Sequence, residues 1–451
     1  MEMTVQTIAE AVGSKQNSQV HVTSVEFDSR KITKGSLFVP LAGARDGHTF
    51  IQQAIDNGAV ATFWSKDIHE APTTIEVIPV EDPLQAMQEL AKAYLAKTQA
   101  DVIAITGSNG KTTTKDLTAS VISQKFTTYK TQGNYNNNIG LPYTILHMPD
   151  KTEKIVLEMG MDHADEIREL SQMAEPKIAA ITMIGEAHIE NLGSREGIAK
   201  AKMEIVEGLD ANGSLVIPAN EPLLRPLTEE LSQKVISFGI QSGDIQGVIL
   251  EEGRERTVFS VNGTQMEIPL PGSYNVTNAL IAYTIGQFFG LSIEEIQTGL
   301  ATATLTQNRT QWLQAGNGAA ILSDVYNANP TAMGLVLDTF RKLPTDGRRI
   351  AVLADMLELG PDSLNMHAQM SEHIDDKTYQ AIYLYGEQMR ALKQALEENY
   401  PTLNVYHFAK EEKQTLINQL VHDLLPTDSV VLKGSNGMGL MEIVNSLENM
   451  K

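Results

Sequence analysis

Short apolar runs alternate with amphipathic stretches along most of the chain. The run DVIAITG closes on a glycine and is followed by a helical pattern that begins near Lys111. Four later runs have the same strand-like character: KIVLEMG, KIAAITMIG, GSLVIPAN and KVISFGI. Strands that alternate with helices in this way indicate a parallel sheet with helices on both faces. The middle of the chain is therefore predicted to be an α/β domain with a mostly parallel sheet.

The pattern differs on either side of these runs. Residues 1–82 combine shorter apolar runs with turns and predict a small α/β unit, and residues 83 to about 100 have the spacing of a connecting helix. Between residues 244 and 271 apolar and polar positions alternate, and Asn262-Gly263 has the composition of a hairpin turn. This stretch predicts a small antiparallel insert.

A second α/β series begins at residue 319, with the runs AAILSDVY, RRIAVLAD, QAIYLYG, NVYHFA and DSVVLKGS. A chain of 451 residues is too long for a single core. We therefore predict three domains, which comprise residues 1–98, 99–312 and 313–451.

Composition narrows the classes of function. The formal net charge of -21 argues against nonspecific nucleic-acid binding, which needs a basic face. The absence of cysteine excludes disulfides, thiolate metal sites and a thiol nucleophile. The first residues lack the basic start and apolar core of a signal peptide, and no apolar run approaches the roughly 20 residues that span a bilayer. We expect a cytoplasmic protein without membrane insertion.

The strongest single motif is TGSNGKTT at residues 106–113, directly after the DVIAI strand. Its glycines allow backbone N–H groups to turn towards a triphosphate, Lys111 can reach the terminal phosphates, and the Thr112 hydroxyl can bind Mg²⁺. The alternative is a helix-capping turn, which the position between a strand and a helix makes less favourable. The predicted nucleotide-binding residues are Gly107, Ser108, Asn109, Gly110, Lys111, Thr112 and Thr113.

Two other strand ends carry candidate metal ligands. Glu158 closes KIVLE, and His188 follows KIAAITMIG. The carboxyl ends of strands in a doubly wound sheet lie together, so both side chains are expected near the phosphate loop. A carboxylate suits Mg²⁺ and an imidazole is a less usual ligand for it. Taken singly, either residue could instead be structural.

Lys202 stands out because it shares a helix face with apolar residues. It follows Ile198 by four residues and precedes Ile205 by three, whereas Lys200 points nearly the opposite way. Burying an unpaired ammonium is costly. Lys202 therefore either extends its amine to the rim of the helix or has a role near the nucleotide metal.

Together the motifs resemble those of the Mur ligases, the ATP-dependent amino-acid-adding enzymes of bacterial peptidoglycan synthesis. The resemblance is carried, in chain order, by TGSNGKTTTK, GNYNNNIGLP, EMGMDHADEI, GEAHIENLGSREGIAKAK, PGSYNVTNAL, DVYNANP, DMLELG and VLKGS. The segment DSRKITKGSLFVPLAGARDGHTFIQQAIDNGA is similar to the UDP-binding N-terminal domain of this family. EMGM, YNANP and DMLELG favour the branch that adds D-alanyl-D-alanine.

The resemblance implies a function for each domain. The N-terminal domain would bind the UDP-substrate, the central P-loop domain ATP, and a Rossmann-like C-terminal domain the incoming dipeptide while closing over ATP. ATP would phosphorylate the free carboxylate of UDP-MurNAc-tripeptide, and the amine of D-Ala-D-Ala would attack the acyl-phosphate. The products would be the pentapeptide precursor, ADP and phosphate.

The resemblance also implies roles for individual residues in a monomeric enzyme with ATP and two Mg²⁺ ions. Lys111, His188 and Lys202 would be catalytic, with Lys202 carbamylated, and Thr112, Glu158, His188 and Lys202 would hold the metals. Nucleotide contacts would come from Asn275, Asn278 and Arg309. Substrate contacts would come from Ser29, Arg30, Gly47, His48, Asn134, Asn136, Asn137, Asp324, Tyr326, Asn327 and Asn329.

Two alternatives belong to other classes. One is a different ligase of the same superfamily, such as the diamino-acid-adding enzyme or a folylpolyglutamate synthetase. The other is a non-catalytic P-loop module that binds nucleotide as a switch. A binding module has no need of the additional set formed by Glu158, His188 and Lys202, which argues against it.

Overall fold

The computed structural model of the chain describes residues 1–306 and 310–450. Their strands form three main sheets that follow one another along the sequence, together with a short two-stranded ribbon. Helices flank the parallel strands, as the alternating pattern predicts. The α/β fold class with mostly parallel sheets is confirmed.

The N-terminal unit contains a four-stranded parallel sheet of order β3-β4-β5-β6 and the ribbon β1-β2. Its strands are β1 (Met3–Thr4), β2 (His21–Val22), β3 (Ser24–Glu26), β4 (Ser36–Phe38), β5 (Ala59–Trp64) and β6 (Glu76–Pro79). Its helices are α1 (Val5–Ala11), α2 (Ile51–Asp56) and α3 (Pro83–Thr98).

The predicted connector is helix α3, and it is firmly packed. Asp82 caps its first turn, and Gln99 ends it in the left-handed conformation. Tyr94 is fully buried, and its hydroxyl donates to the carbonyl of Met148 at 2.7 Å. Apolar residues of the N-terminal unit and of one face of the central sheet belong to the same core cluster. The two units are therefore joined by a shared core.

The central sheet has nine strands in the order β15-β14-β13-β12-β11-β10-β7-β9-β8. The strands are β7 (Asp101–Thr106), β8 (Thr128–Lys130), β9 (Lys154–Glu158), β10 (Ile178–Ile181), β11 (Ser214–Pro218), β12 (Lys234–Ile240), β13 (Ile245–Glu252), β14 (Thr257–Val261) and β15 (Thr264–Ile268). The helices are α4 (Lys111–Ile122), α5 (Gly140–Leu146), α6 (Glu166–Ala174), α7 (Ile189–Leu192), α8 (Arg195–Met203), α9 (Arg225–Thr228), α10 (Ser273–Phe288) and α11 (Ile293–Ala301).

The predicted antiparallel stretch is confirmed, and it extends the central sheet. Strand β13 pairs parallel with β12, and β14 and β15 add antiparallel beyond it. Asn262 and Gly263 both have positive φ, at 50° and 77°. Two left-handed central residues are what a tight hairpin turn between twisted strands requires.

The C-terminal sheet has six strands in the order β16-β17-β21-β18-β19-β20, all parallel except β16. Its strands are β16 (Gln311–Gln314), β17 (Ala320–Asp324), β18 (Arg349–Ala354), β19 (Ala381–Tyr385), β20 (Asn404–Phe408) and β21 (Ser429–Lys433). Its helices are α12 (Pro330–Phe340), α13 (Ser363–Gln369), α14 (Met389–Asn399), α15 (Lys413–Asp423) and α16 (Met441–Glu448).

The limits of the three predicted domains stay a proposal. Strand β16 (Gln311–Gln314) crosses the proposed limit at residue 312. Across the described ranges, no helix combines the length and apolarity that a membrane crossing needs.

Helix α4, which begins at the phosphate loop, is held by close packing against α11. A Cβ at Gly299 would lie 2.5 Å from Cα of Val121, and Ser120 Oγ donates to the carbonyl of Gly299 at 2.7 Å. Alanine normally favours a helix interior over glycine. Here the steric conflict with backbone reverses that preference.

We expect Gly299→Ala to lower the midpoint of thermal unfolding, since overpacking of this kind typically costs about 1–3 kcal/mol. Thr298→Ala, at the exposed neighbouring position, is the matched control and should leave the midpoint nearly unchanged. Differential scanning calorimetry of both variants measures the effect. A Gly299→Ala protein as stable as the parent would show that α11 can move away from α4 at little cost.

Candidate active site

The motif at residues 106–113 forms a loop between β7 and α4, as predicted. Gly107 and Gly110 have positive φ, at 148° and 82°. A Cβ at Gly107 would collide with Thr182 Oγ1, and one at Gly110 would lie 2.5 Å from Asn278 Oδ1. Glycine is therefore required at both positions by backbone conformation and by contact.

Hydrogen bonds fix this loop against the segment that follows β10. The N–H of Ser108 donates to the carbonyl of Met183 at 3.0 Å, and Ser108 Oγ accepts the N–H of Gly185 at 2.9 Å. Thr182 Oγ1 donates to the carbonyl of Asn109. The loop is therefore positioned before any ligand binds.

The loop has the properties of an anion site. It precedes the twelve-residue helix α4, whose N-terminal N–H groups and dipole favour negative charge. Lys111 Nζ donates to the carbonyl of Gly107 at 2.7 Å, so its ammonium lies over the loop. Asn109 Nδ2 is buried without a hydrogen-bond partner among the described residues. A buried donor of this kind calls for a ligand acceptor.

The loop separates two cavities. The larger, of about 530 Å³, lies between the central and C-terminal units, and the smaller, of about 320 Å³, is more polar. Predicted residues that line the larger cavity are Asn109, Gly110, Thr113, Asn275, Asn278, Asp324 and Asn327. Those that line the smaller are Ser108, Asn109, Gly110, Lys111, Asn134, Asn136, Asn137, Glu158, His188, Tyr326 and Asn327.

Asn275 and Asn278 lie on α10 and are buried at the larger cavity. Asn278 Oδ1 accepts from Thr114 Oγ1 at 3.1 Å, and its Nδ2 donates to Asn275 Oδ1 at 3.2 Å. Asn275 Nδ2 donates to the carbonyl of Pro271 at 2.8 Å. This chain attaches α10 to α4, so both asparagines also hold the loop in place.

Glu158 ends β9 and faces the smaller cavity. Asn136 Nδ2 donates to its Oε1 at 2.9 Å, and Lys115 Nζ approaches its Oε2 at 4.0 Å. Oε2 is buried and accepts no hydrogen bond from a described residue. A hydrogen bond to Oε1 therefore orients the carboxylate, and Oε2 can still accept a hydrogen bond or bind a cation.

A buried ionic cluster behind Glu158 was not predicted. Lys115 and Asp116 are each 1% exposed, and Asp116 accepts from Lys130 Nζ at 2.7 Å and from the N–H of Thr306 at 2.8 Å. Burial lowers the pKa of Lys115. Burial alone would raise the pKa of Asp116, but Lys115 and Lys130 hold it below its usual value. The sequence signal was a Lys-Asp pair inside the first turns of α4.

His188 lies just before α7 in a left-handed conformation, with φ at 62°. Its Nδ1 is 2.7 Å from Glu358 Oε2 and 3.3 Å from Asp162 Oδ1. Burial lowers the pKa of His188, against the raising effect of both carboxylates. The imidazole is thus held towards its neutral form, which is the form that binds metals.

The inward position predicted for Lys202 is confirmed. Its side chain is 2% exposed on α8, whereas Lys200 is exposed. Burial, with the charge of Lys111 as a further cause, places the pKa of Lys202 well below its usual value. No carboxylate of the described chain forms an ion pair with it. Because the side chain is almost fully buried, the amine does not extend to the rim of the helix.

The C-terminal unit contributes Asp324, Tyr326 and Asn327 at the end of β17. Lys433, which sequence reasoning missed, is buried and donates to Asp324 Oδ2 at 2.7 Å and to the carbonyl of Asn327 at 3.0 Å. Lys433 is the last residue of its strand, as Glu158 is of β9. This position at a strand end is the sequence feature that could have identified Lys433 as a candidate site residue. Asn329 caps α12 by accepting the N–H of Ala332 at 2.9 Å, which gives it a structural role.

The four N-terminal candidates are not gathered in one cavity. His48 lines a separate cavity of about 310 Å³ beside Leu84 and Ile139. Gly47 packs against backbone atoms of residues 40 and 41, Ser29 Oγ donates to Gln53 at 2.7 Å, and Arg30 pairs with Asp28 at the surface. Arg309 lies outside the described residues. Substrate contact by the four N-terminal residues and nucleotide contact by Arg309 stay predictions.

The donor set fits a metal shared with a nucleotide. Within residues 1–306 and 310–450, no three His, Asp or Glu side chains lie close enough to hold a metal by themselves. Mg²⁺ normally takes one or two protein ligands and fills its other positions with phosphate oxygens and water. The available Oε2 of Glu158 and the buried hydroxyl of Thr112 match that demand.

The central and C-terminal units meet beside this site. Glu186 accepts the N–H of Thr331 at 3.0 Å and its hydroxyl at 2.9 Å. Thr331 is in the first turn of α12, where N–H groups have no acceptor within the helix itself. Glu186 therefore caps a helix of the other domain.

Comparison with known proteins gives matches along nearly the whole chain. Three family descriptions match: "Mur ligase family, catalytic domain" at residues 21–95, "Mur ligase middle domain" at residues 105–286 and "Mur ligase, glutamate ligase domain" at residues 308–436. The UDP-N-acetylmuramoyl-tripeptide–D-alanyl-D-alanine ligase of Bacillus subtilis is 38% identical, with 99% of this chain and 98% of the relative covered. The enzyme of that name from Escherichia coli is 32% identical over 97% and 96%.

Comparison with solved structures gives a match over the same length of chain. A crystal structure of MurF from Acinetobacter baumannii superposes with a TM-score of 0.89 at 28% identity, and 99% of each chain is covered.

The geometry of Gly110 yields a direct test of the phosphate loop. We expect Gly110→Ala to weaken ADP binding about tenfold or more, because the added methyl group both strains a left-handed residue and displaces Asn278. Isothermal titration calorimetry measures the affinity. Gly263→Ala is the control, since its φ of 77° is similar, nothing lies within 4 Å of its Cβ, and it is in a distant hairpin. Equal ADP affinities in the two variants would contradict the role given to this loop.

Proposed function

The chain belongs to the Mur ligase family, and from that premise we propose that it joins D-alanyl-D-alanine to UDP-N-acetylmuramoyl-tripeptide at the expense of ATP. The product is the UDP-linked pentapeptide precursor of peptidoglycan. The observation that carries the proposal is the phosphate loop, which lies between a nucleotide-sized cavity and a polar cavity that contains Glu158 and His188.

This arrangement suits an acyl-phosphate mechanism. The free carboxylate of the tripeptide attacks the γ-phosphorus of ATP, the bond to the β,γ-bridging oxygen breaks, and ADP leaves. The amine of D-Ala-D-Ala then attacks the acyl carbon and releases phosphate and a proton. Both steps depend on alignment and on neutralisation of charge. The larger cavity would hold the nucleoside, and the smaller the carboxylate that receives the phosphoryl group.

The residues divide between these tasks. Lys111 and the N–H groups of the loop bind the terminal phosphates, and Asn275 and Asn278 border the base. Asp324 and Lys433 form a charged pair on the C-terminal side of the same cavity, which suits contact with ATP or with the incoming dipeptide. Asn134, Asn136 and Asn137 supply amides to the polar cavity.

We assign Mg²⁺ to this site as part of the proposal. Thr112 and Glu158 are suited to one ion, and His188 and Lys202 to a second. Bound Mg²⁺ would neutralise charge on the phosphate oxygens. A protonated lysine cannot bind a metal, and Mg²⁺ prefers oxygen ligands, which a carbamate would supply.

The environment of Lys202 favours carbamate formation. The neutral amine adds to carbon dioxide, a C–N bond forms, and one proton is released. Because burial lowers the pKa of this amine, more of it is in the reactive neutral form at neutral pH. The resulting anion would face Lys111, whose charge opposes an ammonium at the same place.

Cellular location and assembly are also proposed. ATP and a UDP-linked substrate carry charges that keep them on one side of a membrane, so the reaction belongs in the cytoplasm where both are made. A monomer suffices, because residues of one chain line all three cavities.

Acceptor specificity tests the function as a whole. Phosphate release should require UDP-MurNAc-tripeptide, ATP and Mg²⁺, and D-Ala-D-Ala should support it far better than any single amino acid. Parallel reactions with meso-diaminopimelate and L-glutamate serve as controls. Turnover with either of these and none with the dipeptide would assign the chain to another branch of the family.

The carbamate can be tested at Lys202 itself. We expect Lys202→Ala to lose most activity, with partial recovery in added acetate, because a small carboxylate can occupy the vacated anionic position. Lys200→Ala, on the exposed face of the same helix, should behave like the parent. Intact mass spectrometry of protein kept in bicarbonate should detect the carbamate on Lys202. Repeated detection of a bare lysine in active, metal-loaded enzyme would refute the carbamate and leave the ligase assignment intact.

A further inference from the structure

The turn formed by residues 357–360, here called the docking turn, is the part of the C-terminal domain that meets α7. The carbonyl of Glu358 accepts the N–H of Glu190 at 3.1 Å. Leu359 is buried in a C-terminal core cluster against which Ile189 of α7 packs. A backbone hydrogen bond and an apolar contact therefore fix the docking turn on the segment that carries His188.

Within this contact, two residues other than glycine have left-handed backbone conformations. Glu358 has φ at 63° and His188 has φ at 62°. Conformations of this kind persist where the surroundings impose them, and they cluster at functional sites. Here the two residues belong to different domains and face each other, with His188 Nδ1 2.7 Å from Glu358 Oε2.

The chemistry of a metal-binding histidine gives this contact a meaning. Such a residue binds the metal through one ring nitrogen and usually donates its other N–H to a carboxylate, which fixes the tautomer and the orientation of the ring. A carboxylate at Nδ1 leaves Nε2 for the metal. We propose that Glu358 is a positioning residue that orients His188 for metal binding, so that docking of the C-terminal domain completes the metal site. The inference rests on the metal role that the proposed function gives to His188.

The geometry shows how the contact would work. Nδ1 lies at ion-pair distance from Glu358, yet it has no aligned hydrogen bond to a described residue. For Nδ1 to donate to the carboxylate, the imidazole ring has to change its orientation. Because the Glu358 side chain is 55% exposed, the ion pair itself adds little stability. Its effect should therefore appear in metal binding, where ring orientation matters.

Asp162 is the rival partner. Its Oδ1 is 3.3 Å from the same nitrogen, and it belongs to the same domain as His188. If Asp162 oriented the ring, the metal site would not depend on docking of the C-terminal domain. The shorter distance favours Glu358, and the two carboxylates can be tested separately.

The deciding measurement is Mn²⁺ binding to the full chain in the presence of ADP, followed by electron paramagnetic resonance. We expect Glu358→Gln to weaken Mn²⁺ binding by about tenfold or more, as typically follows loss of a carboxylate partner of a ligating histidine. In turnover assays it should lower kcat and leave KM for ATP nearly unchanged. Glu190→Gln is the matched control, because Glu190 is exposed and its hydrogen bond to the docking turn comes from its backbone N–H, which the substitution keeps. Its Mn²⁺ affinity should equal that of the parent.

Two further variants separate the possible outcomes. Glu358→Gly preserves the left-handed backbone, which glycine adopts freely, and removes the carboxylate, so it should bind Mn²⁺ as weakly as Glu358→Gln. Normal Mn²⁺ affinity in either Glu358 variant overturns the inference, as does a tenfold loss in Asp162→Asn alone. His188→Ala tests the premise. If it keeps full Mn²⁺ affinity, the metal role of His188 in the proposed function is what fails.

Discussion

The active site depends on how tightly the phosphate loop is enclosed. The loop fits between the end of β10 and helix α10 with no space for a Cβ at Gly107 or Gly110. Its backbone is held there by Ser108 and Thr182. A loop that presents N–H groups to phosphate must not use those groups internally, so its shape has to be imposed by neighbours. The parallel sheet and α10 supply those neighbours, and both cavities take their walls from the same contacts.

Several positively charged side chains are buried in this molecule, although its net charge is strongly negative. The chain carries a net charge of -21, yet Lys115, Lys202 and Lys433 are each buried to 1–2% exposure. An unpaired buried ammonium costs several kcal/mol even after relaxation. Lys433 is paired with Asp324, and Lys115 shares Asp116 with Lys130. Lys202 has no such carboxylate among the described residues, and the carbamate proposed for it would remove its positive charge.

The sequence predicted the elements of the fold better than their contacts. Each apolar run that we proposed as a strand forms a strand. Strands of a parallel sheet are covered on both faces, so their sequences are continuous runs of apolar residues that are easily recognised. The inward side of Lys202 was also predicted, since helical periodicity reports a face directly. The contacts of Glu186 with Thr331 and of Asp116 with Thr306 were not predicted. They join residues separated by more than a hundred positions, and no local pattern records such a pairing. Asn329, a motif residue expected at the substrate, caps a helix, and its substrate contact stays a prediction.

The positions of these contacts bear on how the domains cooperate. The N-terminal unit shares a core with the central sheet, whereas the C-terminal unit meets it through hydrogen bonds and small apolar contacts. Relative motion is the usual expectation for domains that meet through polar contacts and do not share a large apolar core. Two contacts of the C-terminal unit, those made by Thr331 and by Glu358, fall on residues 186–190, the segment that also contains His188. A separate contact is made by Arg254, which donates to Pro344 and Ser429. If Glu358 orients His188 as proposed, assembly of the metal site depends on this junction. An acyl-phosphate is readily hydrolysed by water. A site that is completed only when the domain carrying the amine closes would protect this intermediate from hydrolysis.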